Sequence, residues 1–227
     1  MPTPAHVPVL DWTDDAAANR LVAQDPLALL IGFCLDQQFP IEQAFLGPLR
    51  MRERLGTFEP GRLAAADPEA FVAAFRTPPA IHRFPRSMAE RAQGICRIVV
   101  ETYGGDASRL WREAGTAAEL HRRLAALPGF GPLKARIVTG VLARRYGVTP
   151  PGWEQIVPEF PTLADVTTAD ERRAYQAAKR AHKAALRAQT AAAPPHRAPP
   201  RADRTPAPSG GGPAPRGGDR RRPSPGP

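Results

Sequence analysis

The chain has 227 residues, a formal net charge of +9 and only two cysteines, Cys34 and Cys96. This length suits one substantial domain with additional material. Two cysteines are too few for a disulfide framework or a cysteine-rich metal centre. No segment approaches the roughly 20 apolar residues that span a bilayer, and the apolar run at 29–35 follows no signal peptide. We therefore expect a cytoplasmic protein without a membrane partner.

Residues 191–227 differ in composition from the rest of the chain. They contain 11 Pro and 6 Gly among 37 residues, and 7 Arg against 2 Asp. Such a segment cannot bury enough apolar surface to offset the entropy of ordering it, so we expect a disordered basic tail. The tail carries +5 of the net charge, which leaves +4 for residues 1–190. A tail that binds a polyanion and a tail that only adds solubility both fit this composition.

Helix-start signals recur through residues 8–190. Two Asp-Pro pairs place an N-cap acid before a proline at the first helical position, and three segments fit the capping box S/T-x-x-E. These signals are Asp25-Pro26, Asp67-Pro68, Ser87 to Glu90, Thr116 to Glu119, and Thr168 to Glu171. No convincing period-2 strand pattern lies between them, so the sequence predicts an all-α domain over 8–190.

Apolar spacing and these signals predict the helices in chain order: 26–35, 41–55, 88–103, 116–126, 132–146 and 169–190. The run PLALLIGFCL at 26–35 is apolar nearly all round, which indicates a central, buried helix. Gly47-Pro48 predicts a kink or break in the second helix. The proline-rich segment 148–166 is typical of an ordered loop, and the last helix is expected to be largely solvated.

Residues 127–131 read LPGFG and separate the helices predicted at 116–126 and 132–146. Gly129 and Gly131 permit a positive φ and a close approach of the backbone to an external group. A glycine turn that leads into a helix exposes unpaired N–H groups beside the positive end of the helix dipole, which is typical of an anion site. Lys134 adds a positive charge for the same phosphate. A plain helix–helix turn is the alternative, although one glycine would suffice for it.

Two further segments belong with this bend. They are MAERAQGICRIVVETYGGD at 88–106 and LLIGFCLDQQFPIEQA at 29–44. In this order, the three segments resemble the HhH-GPD superfamily of base-excision DNA glycosylases, which includes endonuclease III and alkyladenine glycosylases. The resemblance implies a helical HhH-GPD domain with its helix-hairpin-helix at about 116–146. It also implies that the partner is double-stranded DNA with a damaged or mispaired base, bound by a nucleoid-associated monomer.

The resemblance implies which residues contact DNA. The sugar-phosphate backbone would meet Leu127, Pro128, Gly129, Phe130, Gly131 and Lys134. Gln38, with Gln37 beside it, matches the glutamine that fills the gap left in the family when a nucleotide leaves the stack. Extruding a base from the duplex costs a few kcal/mol. An inserted polar side chain partly replaces the base pairing that is lost. A polar turn without this role is the alternative.

Glycosylases of this kind use a carboxylate near the anomeric carbon, to activate water or to stabilise the positive charge that develops there. The resemblance places this acid about seven residues past the glycine that closes the second hairpin helix. Counting from Gly147 reaches Glu154, with Glu159 and Asp165 as alternatives. A surface acid on a proline-rich loop, without a catalytic role, is the other interpretation.

Bifunctional members of the family place a Schiff-base lysine two residues past the second hairpin glycine. Leu133 occupies that position, and Lys134 lies about 100° further round the helix, so we expect no lyase activity. Two cysteines cannot supply the four ligands of the family's iron–sulfur cluster. We expect no cofactor and no metal centre, and the resemblance allows only a monovalent cation at the hairpin. His82, in RTPPAIHRFP at 76–85, is interpreted as part of a packed loop rather than of a base pocket.

The sequence leaves two main functions open. One is a monofunctional DNA glycosylase that extrudes a base and hydrolyses its glycosidic bond. The other is a binder of distorted or abasic DNA that has the same fold and no catalytic activity. A third, weaker hypothesis is a protein-interaction scaffold in which the basic tail does the binding.

Overall fold

The computed structural model describes residues 8–192, in which it contains eleven α-helices, one 3₁₀ turn at Leu163–Asp165 and no strand. The helices are α1 (Ala16–Gln24), α2 (Pro26–Leu35), α3 (Ile41–Leu55), α4 (Pro60–Ala65), α5 (Pro68–Arg76), α6 (Pro85–Tyr103), α7 (Arg109–Arg112), α8 (Ala117–Ala125), α9 (Pro132–Tyr146), α10 (Trp153–Ile156) and α11 (Ala169–Ala192). The all-α prediction is confirmed for these residues. Helix α11 continues two residues into the predicted tail, and the rest of the tail lies outside the described residues.

Helix α2 forms the centre of the fold, as its apolar sequence predicts. Every residue from Leu27 to Leu35 is buried, and the helix packs against α1, α3 and α6. Its start follows the Asp-Pro signal, because Asp25 accepts hydrogen bonds from the N–H groups of Leu27 and Ala28 at 2.8 and 3.2 Å.

Of the two outcomes predicted at Gly47-Pro48, a kink or a break, the break does not occur, because helix α3 continues through Pro48. Gly47 faces α2 closely, since a Cβ built on it would lie 2.3 Å from a methyl group of Leu35. Gly47, Pro48 and Leu49 are all buried. Packing against α2 therefore outweighs the local cost of the proline within the helix.

The capping signals are correct at some helices and wrong at others. Helices α8 and α11 start where predicted, with Thr116 and Thr168 each accepting a backbone N–H at 3.2 Å. The box predicted at Ser87 is wrong, because α6 starts earlier, at Pro85, without a side-chain cap. A proline needs no N–H partner in the first turn, so it can begin the helix there. The segment 148–166 also contains α10 and the 3₁₀ turn.

Helix α11 is attached to the body largely by polar side chains. The contacts are Arg172 with Asp11, Asp14 and Glu42, Gln176 with Glu42, and Lys179 with Asp36. The side chain of Arg172 is 1% exposed. Asp36 directly follows α2, so this charged face brings α11 beside the turn between α2 and α3. None of the helices over residues 8–192 is long and apolar enough to cross a membrane.

Candidate nucleic-acid interface

Helices α8 and α9 pack against each other and are joined by the bend at 126–131. Helix α8 buries Ala117, Leu120 and Leu124, which recur at helical spacing on one face. Leu127 and Phe130 of the bend are also buried, whereas Gly131 is exposed. The bend is therefore anchored on one side and open to solvent at the point where α9 begins.

The two glycines of the bend serve different purposes. Gly129 has a φ of +80°, in the left-handed region that favours glycine. Gly131 has a φ of −116° and a ψ of 176°, an extended conformation that any residue adopts. A Cβ on Gly129 would lie 2.7 Å from the side-chain nitrogen of Gln37, whereas a Cβ on Gly131 would meet no atom within 4 Å. The expected use of a positive φ is therefore confirmed for Gly129 alone.

The start of α9 carries backbone N–H groups that have no acceptor among residues 8–192. They belong to Gly129, Gly131, Leu133 and Lys134. No side chain in this range caps the helix, and Leu133 is 53% exposed. These groups lie at the positive end of the dipole of a helix of 15 residues. This is the arrangement that binds phosphate or another anion at a helix N-terminus.

Lys134 is directed into the protein. Its Nζ donates a hydrogen bond to the carbonyl of Phe33, at 2.5 Å, and lies 5.5 Å from the centre of the Phe130 ring. Burial lowers the pKa of Lys134, and the nearby carboxylate of Asp36 opposes this effect. The amine is thus occupied at the end of α2, and in this conformation it does not extend toward the open side of the bend.

Gln37 joins the turn after α2 to the bend. Its Nε2 donates to the carbonyl of Cys34 at 2.8 Å and to the carbonyl of Gly129 at 3.1 Å. Its Oε1 accepts a hydrogen bond from Arg91 of α6 at 2.5 Å. The structure therefore brings together two segments that the sequence predicts separately. Arg91 has no distinctive sequence signal, and its part in this contact is visible only in the structure.

Gln38 lies at the exposed tip of the same turn. Its φ is +54°, and no other non-glycine residue in the described range has a positive φ. This conformation is uncommon for a residue with a long side chain, and such outliers motivate hypotheses of function. Gln37, the residue before it, contacts Gly129, so the backbone of Gln38 lies one residue from a contact with the bend.

His82 is fully buried and belongs to a packed loop, as the sequence analysis favours. Its ring lies 4.4 Å from that of Phe39 and 5.8 Å from that of Phe84, and its Nδ1 accepts the N–H of Phe84. Burial lowers the pKa of His82, which the nearby backbone of Gln37 opposes only in part. Phe84 is 45% exposed, with the Arg83 guanidinium over its ring. An exposed aromatic therefore lies on a loop that packs against Phe39, the neighbour of Gln38.

The three candidate acids differ in their availability. Glu154 is exposed on α10, which is tied to the start of α8 by a hydrogen bond from the Ala117 N–H to the Pro151 carbonyl. Helix α10 is also tied to the second turn of α9, because Arg136 donates a hydrogen bond to the carbonyl of Ile156 at 2.7 Å. Asp165 accepts from Arg144 and from the Thr162 N–H. Glu159 is exposed.

Cavities and cysteines give little indication of a second reactive centre. One open cavity of about 460 Å³ lies at the start of α2 beside Asp25, and another of about 410 Å³ lies along α1. Both cysteines are buried, and burial raises the pKa of Cys34 to about 11. In residues 8–192 no group of three or more His, Cys, Asp or Glu side chains is arranged to hold a metal ion.

Comparisons with known proteins do not assign the chain to a family. No family model matches it, and no curated protein or solved structure is significantly similar to it. The HhH-GPD resemblance therefore rests on the segments 29–44, 88–106 and 127–131 and on their order in the chain.

Proposed function

We propose that this protein binds double-stranded DNA at a damaged or mispaired base and hydrolyses the glycosidic bond of that base, as a monofunctional DNA glycosylase. The observation that carries the proposal is the juxtaposition of two features. The uncapped start of α9 lies beside a turn whose exposed residue, Gln38, has a left-handed backbone conformation. The first feature suits a phosphate, and the second suits a gap in the base stack.

The binding step uses backbone groups. The free N–H groups of Gly131, Leu133 and Lys134 donate to oxygens of one phosphate, and the dipole of α9 favours its negative charge. The absence of a side chain at Gly131 lets the sugar-phosphate chain come close. Because each neutralised phosphate releases counterions, the affinity falls as salt is added.

The base-extrusion step uses the turn between α2 and α3. Gln38 enters the duplex where the extruded nucleotide was stacked, and its amide forms hydrogen bonds with the base that remains. Extrusion costs least at a mismatched or damaged pair, so the energy of opening the pair contributes to selectivity. Phe84, which is half-exposed near this turn, offers an aromatic face on which a base can stack.

The chemical step needs a carboxylate that is free to act. Glu154 is exposed, whereas Asp165 already accepts from Arg144 and from the Thr162 backbone. Glu159 is exposed as well, but Glu154 has the spacing from Gly147 that the resemblance gives, so we assign to Glu154 the activation of water or the stabilisation of the oxocarbenium-like charge. The proposal includes no lyase step, because Leu133 stands exposed at the position of the Schiff-base lysine.

The alternative is a non-catalytic binder of distorted or abasic DNA. One observation favours it: Glu154 is exposed on the four-residue helix α10, whereas catalytic groups are held in place by the residues around them. In this alternative the bend and Gln38 keep their roles, and no chemical step follows binding.

Base release from a panel of duplexes separates the two functions. The panel carries uracil, alkylated purines and oxidised purines, for which strand breaks after alkali report the released base, and an abasic-site duplex, which has no base to release and serves for binding alone. We expect release from one class, and Glu154→Gln should abolish it while binding persists. Glu159→Gln is the matched control and should behave like the wild type. Lesion-selective binding without any release would favour the binder, and unchanged release by Glu154→Gln would reject the assignment of Glu154.

A further inference from the structure

We infer that Lys134, Gln37 and Arg91 form a positioning network that holds the bend at a fixed distance from the Gln38 turn. The inference rests on the proposed function and gives Lys134 a role different from the phosphate contact that the sequence predicts. The network sets where the side chain of Gln38 lies when the start of α9 holds a phosphate.

The centre of the network is the carboxyl end of α2. The last carbonyls of a helix have no partner within the helix. Lys134 donates to the carbonyl of Phe33, and Gln37 donates to the carbonyl of Cys34. A cation at this end also interacts favourably with the helix dipole. Lys134 therefore fastens the first turn of α9 to the end of the central helix.

Gln37 connects three parts of the chain through one amide group. Its Nε2 reaches the end of α2 and the bend, and its Oε1 accepts from Arg91 of α6. Gly129 makes this possible, because a Cβ there would lie 2.7 Å from Nε2 and 3.1 Å from the sulfur of Cys34. The left-handed Gly129 is thus explained by an internal contact.

The carboxylate of Asp36 near Lys134 favours the charged amine of Lys134 in its buried position. Asp36 is the acidic neighbour of Lys134, and it also pairs with Lys179 of α11 at 3.4 Å. Gln38 comes directly after Gln37 in the chain. Any loosening of Gln37 or Lys134 therefore changes the position of Gln38 relative to the start of α9, while the N–H groups that meet the phosphate remain.

Lys134→Met tests this role. Methionine is an unbranched side chain, like the apolar stem of lysine, but it lacks the amine that donates to the Phe33 carbonyl. Binding to an abasic-site duplex and to the same intact duplex is measured over a range of salt concentrations. A positioning role predicts that the preference for the abasic duplex falls roughly five- to tenfold, which corresponds to one lost hydrogen bond. It also predicts an unchanged salt dependence, since no phosphate contact is lost.

Lys179→Met is the matched control, because it removes another lysine at the same end of α2 that lies outside the network. We expect it to keep the lesion preference. If Lys134→Met instead lowers the salt slope by about 0.9 and keeps the preference, Lys134 is a phosphate ligand and the inference is wrong.

Unfolding measurements test the network without DNA. Lys134→Met, Gln37→Leu and the double variant are compared by urea denaturation, and coupled residues should give a non-additive loss of stability. Additive losses would overturn the network even if the protein binds DNA. If the wild type binds neither duplex in dilute buffer, the proposed function fails, and the positioning role fails with it.

Discussion

At the scale of single residues, the bend contains two glycines that are explained by different physical causes. Gly129 needs its positive φ and the space occupied by Gln37, so both backbone and packing exclude a side chain. Gly131 meets neither condition in the free protein. The sequence motif L-P-G-x-G predicts a bend at this place, but it cannot distinguish an internal constraint from one that is imposed by a ligand.

Alanine substitution separates these reasons. Gly129→Ala should lower the free energy of unfolding by about 1–3 kcal/mol, because it combines a strained φ with a clash against Gln37. Gly131→Ala should change stability by less than about 0.5 kcal/mol but weaken DNA binding, since in the proposed function a phosphate approaches at the place of its Cβ. Urea denaturation and DNA titration of both variants check this, and equal losses of stability would contradict it.

His82 gives the fold a dependence on pH. Its folded-state pKa is lowered by burial, so below the unfolded pKa of about 6.5 the unfolded chain binds a proton that the folded chain does not. The free energy of unfolding should therefore fall as the pH is lowered from about 7.5 to about 5.5. Urea denaturation of the wild type and of His82→Gln checks this. A variant with the same pH dependence as the wild type would show that His82 is not the source.

At the scale of elements, the sequence predicts the helices whose signals are local. Helix α2 follows from its uniform apolar run, and α8 and α11 follow from their capping residues. The sequence does not predict the short helices α1, α4, α7 and α10, and the loop predicted over 148–166 is wrong where α10 forms. Short helices depend on tertiary packing, which no local pattern contains. The continuity of α3 through Pro48 has the same origin, since it depends on contacts with α2.

Helix α11 is the element for which polar anchoring matters most. Replacing Arg172 by Met should lower the free energy of unfolding by about 1–3 kcal/mol, because Asp11, Asp14 and Glu42 lose the buried cation that they share. Arg173→Met is the matched control, since that side chain is 64% exposed, and it should change stability by less than about 0.5 kcal/mol. Chemical denaturation measures both, and similar losses would show that Arg172 has no special anchoring role.

At the scale of the whole molecule, the candidate interface is assembled from distant parts of the chain. The sequence predicts the bend and the glutamine turn correctly as separate features. Their contact joins residues 92 positions apart, Gln37 and Gly129, and it follows from how α2, α6 and α9 pack. The hydrogen bond from Lys134 to the carbonyl of Phe33 also joins distant parts of the chain. The start of a helix indicates on which side of the helix a side chain lies, but it does not indicate which residues that side chain contacts.

The distribution of charge over the whole chain leads to a further test. Residues 193–227 hold the same 7 Arg and 2 Asp as the predicted tail. Truncation after Ala192 should reduce the salt dependence of DNA binding, because fewer phosphates are neutralised. The preference for a lesion should remain, since it is assigned to Gln38 and the bend. Loss of all DNA affinity would instead favour a scaffold in which the tail does the binding.

The left-handed backbone of Gln38 sets the stability of the fold against the role proposed for its side chain. A glycine would occupy this conformation more easily, by about 1 kcal/mol, so selection for heat resistance alone would tend to replace the glutamine. Under the proposed function, the glycine variant would be more stable but would lack the side chain that enters the duplex. In a variant selected for thermal stability, the residue at position 38 should therefore be identified before the variant is used to test the proposed function.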